Sequence, residues 1–167
     1  MERHNSFDRP LATRTLWAVL QPYVSIARPD HWFKNVFVLP GIVIPLSLNR
    51  DLIDMDLPLR VLLGLTAVCL VTSSNYVLNE VLDAPFDRFH PTKRARPAAM
   101  NQICCPVAYA EWLLLMVAAV GLSTLVSISF TVMIGALWVS GFLYNVPPIR
   151  TKDIPYIDVL TEALNNP

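Results

Sequence analysis

Asn79, Asp83 and Asp87 recur at every fourth position, with Glu80 among them, and Arg88, Lys93, Arg94 and Arg96 follow closely. On a helix that spacing carries three side-chain oxygens along one face. Hard oxygen donors, without His or Cys, suit Mg²⁺ better than zinc. Mg²⁺ takes one or two carboxylates and completes its shell from water and substrate phosphates; nearby Lys and Arg then neutralise the phosphate oxygens left free. The stretch reads as chemistry on a metal-bound phosphorylated substrate. Pro85 cannot donate to the carbonyl of Val81, which predicts a loosened or kinked last turn. Arg150 and Lys152, beyond Tyr144 and Pro147-Pro148, form a second basic group. The plainer reading of both groups is a set of charged anchors at helix ends.

The elements that position these residues are hydrophobic. Apolar residues make up 54% of the 167 and charged ones only 16%, and mean hydropathy is +0.45, which excludes an ordinary soluble domain. Cys69, Cys104 and Cys105 have no CxxC or Cys/His spacing, so a thiolate metal site or a disulfide framework is excluded as well. Residues 1–27 read as a polar N-terminus followed by an amphipathic interfacial segment with Trp17 and Tyr23 at headgroup level. A first span is expected over 33–48, short and carrying Pro40 and Pro45. Val61 to Leu78 is free of charge and anchors a second span over 61–82. Thr72, Asn75, Asn79 and Asp83 recur along it at spacings of three or four, a polar stripe that should face a cavity inside a bundle.

Val107 to Val146 contains one charge, Glu111, and at 1.5 Å per residue would extend about 60 Å, twice the hydrocarbon thickness. A hairpin with spans over 107–124 and 127–146 is therefore predicted, turning between Gly121 and Ser129. Residues 154–167 read as the start of a further helix. With four spans, eleven Lys and Arg fall on one side and only Arg50 and Arg60 on the other. The positive-inside rule then puts both termini and the Asn79–Arg96 loop in the cytoplasm.

At this point the chain resembles the UbiA-type intramembrane prenyltransferases. Asn79-Glu-Val-Leu-Asp83-Ala-Pro-Phe-Asp87, with Lys93 and Arg96-Pro97, is similar to that family's first aspartate-rich motif. Arg28-Pro29 resembles a second family element, and Tyr144-Asn-Val-Pro-Pro-Ile-Arg150-Thr-Lys152 a third. The resemblance implies an all-α integral membrane protein, here the N-terminal half of a UbiA-like bundle over residues 28–167. It implies Mg²⁺-dependent transfer of an isoprenyl group from its diphosphate to an acceptor such as an aromatic ring or quinone precursor. Asn79, Asp83 and Asp87 would hold the metal and diphosphate. Lys93, Arg96, Arg28, Arg150 and Lys152 would contact phosphate, and Tyr144 would line the site.

Glu80 departs from the family's usual Asp but stays a carboxylate. The family's second aspartate-rich motif has no counterpart here; Asp153 and Asp158 do not match its position. A fragment or truncated frame is therefore expected, with the C-terminal half of the fold as its missing partner. The other expected partners are the donor, a small-molecule acceptor and the bilayer; nucleic acid is not among them. His90-Pro91-Thr92-Lys93-Arg94 is similar to a branch of the family that transfers phosphoribose from phosphoribosyl diphosphate to a polyprenyl phosphate, a second expectation. A third is a non-catalytic membrane protein that binds lipid diphosphates.

Overall fold

The computed structural model describes residues 15–165; the polar segment 1–14, with its three arginines, lies outside them, as do Asn166 and Pro167. Six α-helices follow one another: α1 Leu16–Ala27, α2 Leu39–Leu48, α3 Leu57–Asp87, α4 Cys105–Thr124, α5 Ile128–Asn145 and α6 Ile157–Asn165. Among the described residues there is no strand. Leu16–Leu48, α3, α4 and α5 are each long and apolar enough to cross a membrane.

The first of these is broader than residues 33–48. Arg28 ends α1 in a left-handed conformation, and Pro29–Val38 then winds as a ten-residue 3₁₀ helix into α2. A 3₁₀ turn rises about 2.0 Å per residue. Pro29–Leu48 therefore reaches roughly 35 Å, enough for a hydrocarbon core of about 30 Å. Length was the weakness of the short reading, and the stretched 3₁₀ geometry removes it. Polar side chains fix the segment to α3: the Trp32 indole donates to Ser73 Oγ at 2.9 Å, and Asn35 Nδ2 lies 3.1 Å from Cys69 Sγ and 3.5 Å from Thr72 Oγ1.

α3 is the central element. It starts earlier and ends later than 61–82, because Pro58 at its first turn and the charged residues after Leu78 are compatible with helix although they lie outside the charge-free window. The helix also runs on through Pro85. Pro85 leaves the Val81 carbonyl without its usual donor but does not end the helix, and the Arg88 N–H reaches the carbonyl of Ala84 at 3.4 Å. Small residues let its neighbours approach: Ala67, Val68 and Val71 pack with Ala119 and Ile134, while Val77 and Val81 pack with Ile26 and Ala108. Ser74 Oγ donates to the Trp112 carbonyl across the α3–α4 contact, at 2.9 Å. A Cβ on Gly141 would overlap the Asn75 carboxamide, which lies flat on that turn of α5 and donates to the Leu137 carbonyl at 3.2 Å.

The α4–α5 hairpin turns at residues 125–127, within the expected interval. Ser127 caps α5 by accepting from the Phe130 N–H at 3.1 Å. Trp112 and Trp138 stack across the hairpin with centroids 5.1 Å apart.

Candidate functional site

The polar stripe on α3 is matched along its length by partners from other elements. Thr72 meets Asn35, Asn75 meets α5, and Asn79 and Asp83 meet Lys152. The Lys152 ammonium donates to Asp83 Oδ1 at 2.6 Å, Asn79 Oδ1 at 2.9 Å and Asn145 Oδ1 at 3.0 Å. Those three contacts use all three of its donors. Arg150 Nη2 reaches the same Asp83 Oδ1 at 3.1 Å. Its Nε lies 2.8 Å from Asp153 Oδ2 without the alignment of a hydrogen bond. Burial pushes the Lys152 ammonium below the ordinary lysine range, and the Asp83 carboxylate offsets part of that push.

Asp87 belongs to a neighbouring pair. It is buried, at 4% exposure, and its Oδ2 accepts from Arg96 Nη1 at 2.7 Å. The i, i+4, i+8 series is therefore divided between two cations: Asn79 and Asp83 share Lys152, while Asp87 takes Arg96. Arg28 is drawn to Glu80 instead of to an aspartate, at 3.6 Å. Glu80 is only 2% exposed and also accepts from the Ala98 N–H at 3.5 Å. Lys93 and Arg94 are exposed on the loop.

Aromatic rings hold three of these cations from a second side. Arg28 lies over Tyr76, Arg150 over Phe86 and Lys152 over Tyr144, at 5.4, 5.1 and 5.9 Å from the ring centroids. Arg28 and Arg150 both have positive φ, 50° and 30°. Such backbone costs of order 1–3 kcal/mol per residue and persists where surrounding contacts over-determine it. Here the Glu80 and Asp83 pairs supply those contacts.

Asn79 and Tyr144 open into a cavity of about 650 Å³ between residues 28–37, α3 and the end of α5. Its lining is mixed, with the polar side chains of Asn35, Thr72, Asn75 and Asn145 and the rings of Phe33, Phe37 and Tyr76. The sequence reading overlooked the contacts of Glu80 with Arg28 and the Ala98 N–H, and it did not place His31 or Asn145 at the site. A buried asparagine ending a transmembrane helix, beside Tyr144, was the available signal for Asn145.

No three His, Cys, Asp or Glu side chains converge on a point among the described residues. The protein alone therefore provides no closed metal cage. The donors present still fit Mg²⁺: they are hard oxygens at one helix end, next to cations suited to phosphate, and that ion ordinarily takes only one or two carboxylates. Asn79, Asp83 and Asp87 are the residues that would hold it.

The described residues form a helical bundle with four stretches long and apolar enough to cross a membrane, and with a carboxylate and cation cluster beside a cavity. Residues 36–164 match the model of the UbiA prenyltransferase family, and the chain belongs to that family. It is 33% identical over 100 residues to a decaprenyl-phosphate phosphoribosyltransferase of Mycolicibacterium smegmatis, covering 60% of this chain and 31% of that protein. The protein of the same name from Corynebacterium glutamicum is 34% identical over 103 residues, 61% of this chain and 30% of the relative. The chain thus spans about a third of the length of these relatives. In fold it is similar to a UbiA homolog from Archaeoglobus fulgidus solved with DMAPP and Mg²⁺, with TM-score 0.71 and 20% identity over 87% of this chain and 50% of the other.

Proposed function

We propose that this chain forms the diphosphate-binding part of a transferase that moves phosphoribose from phosphoribosyl diphosphate to a polyprenyl phosphate. The observation that carries the reading is the set of cations gathered on the carboxylates at the end of α3, beside a cavity lined by both polar and aromatic side chains. The relatives from M. smegmatis and C. glutamicum, named for that reaction, favour this donor over an isoprenyl diphosphate.

In the proposed reaction an oxygen of the polyprenyl phosphate attacks the anomeric carbon of the donor. The bond from that carbon to the diphosphate oxygen breaks, and the diphosphate leaves with the electron pair. Lys152 and Arg150, held ready on Asp83, exchange part of their carboxylate contact for the departing diphosphate and stabilise its growing charge. Asn79 and Asn145 fix the ammonium while this exchange occurs. Phe33 and Phe37 give the polyprenyl chain an apolar wall. Asn79, Asp83 and Asp87 would hold Mg²⁺, which would supply Lewis-acid stabilisation of the same charge. The cluster, the loop after α3 and both termini face the cytoplasm in this reading, which the charge asymmetry supports.

A second reading, isoprenyl transfer, is supported by the fold neighbour solved with DMAPP and Mg²⁺. Membranes containing the protein, given each labelled donor in turn with polyprenyl phosphate and a phenolic acceptor, separate the two. Label from phosphoribosyl diphosphate entering the lipid fraction is the expected result. Label transferred only from the isoprenyl diphosphate overturns the first reading. Saturable binding of the isoprenyl diphosphate without turnover of either donor supports a non-catalytic lipid-diphosphate binder.

A further inference from the structure

The cations at this end of the bundle border two cavities. One is the 650 Å³ cavity that reaches Asn79, beside Lys152 and Asp83. The other, of about 470 Å³, lies across Arg28 and His31, which line both, and is bounded also by Glu80, Thr92, Lys93 and Arg96. Lys93 makes no ion pair among the described residues. The negative groups on this second cavity already have partners. Glu80 is bound by Arg28 and the Ala98 N–H, and the Asp30 carboxylate, 75% exposed, lies 3.5 Å from His31 Nε2. His31 Nδ1 is buried on the shared wall without a hydrogen-bond partner.

An isoprenyl diphosphate is anionic at one end and hydrocarbon at the other, so it has no group for a second cationic cavity. Phosphoribosyl diphosphate has two anionic groups on one pentose: a diphosphate on C1 and a phosphate monoester on C5. We propose that the second cavity binds the monoester phosphate of the donor, with Lys93 and Arg28 as its principal contacts and Arg96 at its edge. The ribose then bridges the wall formed by Arg28 and His31, with its diphosphate directed to Lys152 and Asp83. This inference rests on the phosphoribosyl reading and adds a selectivity element to it. The cavity beside Lys93 tells a doubly phosphorylated pentose from an isoprenyl diphosphate.

Equilibrium binding to the purified chain in detergent with Mg²⁺, in phosphate-free buffer, tests the division. The probes are inorganic pyrophosphate, ribose 5-phosphate and phosphoribosyl diphosphate. Lys93 is exposed on the loop, so Lys93→Gln leaves the bundle intact. Loss of one charge-assisted phosphate contact costs about tenfold in affinity. Lys93→Gln is expected to weaken ribose 5-phosphate and phosphoribosyl diphosphate by that factor and to change pyrophosphate by less than about twofold. Lys152→Gln is expected to do the reverse to pyrophosphate and ribose 5-phosphate. Equal weakening of pyrophosphate by both variants overturns the second subsite, as does unchanged phosphoribosyl diphosphate binding in Lys93→Gln. Failure of the wild-type chain to bind phosphoribosyl diphosphate while an isoprenyl diphosphate binds overturns the phosphoribosyl reading itself.

Discussion

Asp83 Oδ1 receives both the Lys152 ammonium and the Arg150 guanidinium, and Asp83 and both cations are each no more than 16% exposed in their side chains. Removing the charge from a carboxylate so placed leaves Lys152 without its carboxylate partner and Arg150 with the Asp153 carboxylate alone, where water reaches both cations poorly. Asp83→Asn keeps the shape and loses the charge. Its expected effect is a fall in Mg²⁺-dependent turnover of at least about 100-fold, the scale of a lost transition-state electrostatic contact. Turnover within about threefold of wild type removes Asp83 from the proposed role. The types and spacing of Asn79, Asp83 and Asp87 were legible in the sequence, because helical periodicity fixes which side chains share a face. Their partition between Lys152 and Arg96 was not, since Lys152 is 69 residues from Asp83 and only the folded bundle brings them together. Glu80 is the clearest case. As a sequence letter it is an Asp lengthened by one methylene; in the fold it joins Arg28 to the Ala98 N–H.

Helix α3 holds the site because each residue of its polar stripe reaches a partner on another element, although Asn75 Oδ1 is buried without a hydrogen-bond partner. An unsatisfied polar group in hydrocarbon is costly. The Asn75–Gly141 contact is the tightest of these joints. Gly141→Ala sets a Cβ into the Asn75 carboxamide, and overpacking of this kind costs typically about 1–3 kcal/mol. A lower midpoint of thermal unfolding in detergent is expected. Adding Asn75→Ala should recover most of the loss, and a double variant no more stable than Gly141→Ala alone would show that the strain lies elsewhere. Span number, the hairpin and its turn could be read from hydropathy and length. Element ends could not, because α3 continues into charged sequence beyond the apolar window. The 3₁₀ helix over residues 29–38 leaves no periodic signature distinguishable from α-helix in ten residues, yet its longer rise is what lets the first span cross.

At the scale of the molecule, the ion pairs lie at the two ends of α3, and the candidate site is the larger group. Arg28, Arg96, Arg150 and Lys152 surround the carboxylates at the C-terminal end of α3, while Arg60 pairs with Asp54 at its N-terminal end. The proposed orientation predicts that a cysteine at exposed Met55, in a background with Cys69, Cys104 and Cys105 replaced by serine, reacts with a membrane-impermeant maleimide added outside intact cells. Native Cys104 and Cys105, exposed at the start of α4, should react only after the membrane is opened. The opposite pattern inverts the topology. The family was readable from three separated motifs, whereas the choice of donor depended on the named relatives and on the second cavity. The central claim, that the α3 end is a diphosphate site, is tested most directly by calorimetric titration of the purified chain with inorganic pyrophosphate. The account predicts saturable binding that requires Mg²⁺, weakens at least about tenfold in Lys152→Gln and is unchanged in Arg60→Gln. Binding that is indifferent to Mg²⁺, or that Arg60→Gln weakens as much as Lys152→Gln does, would contradict it.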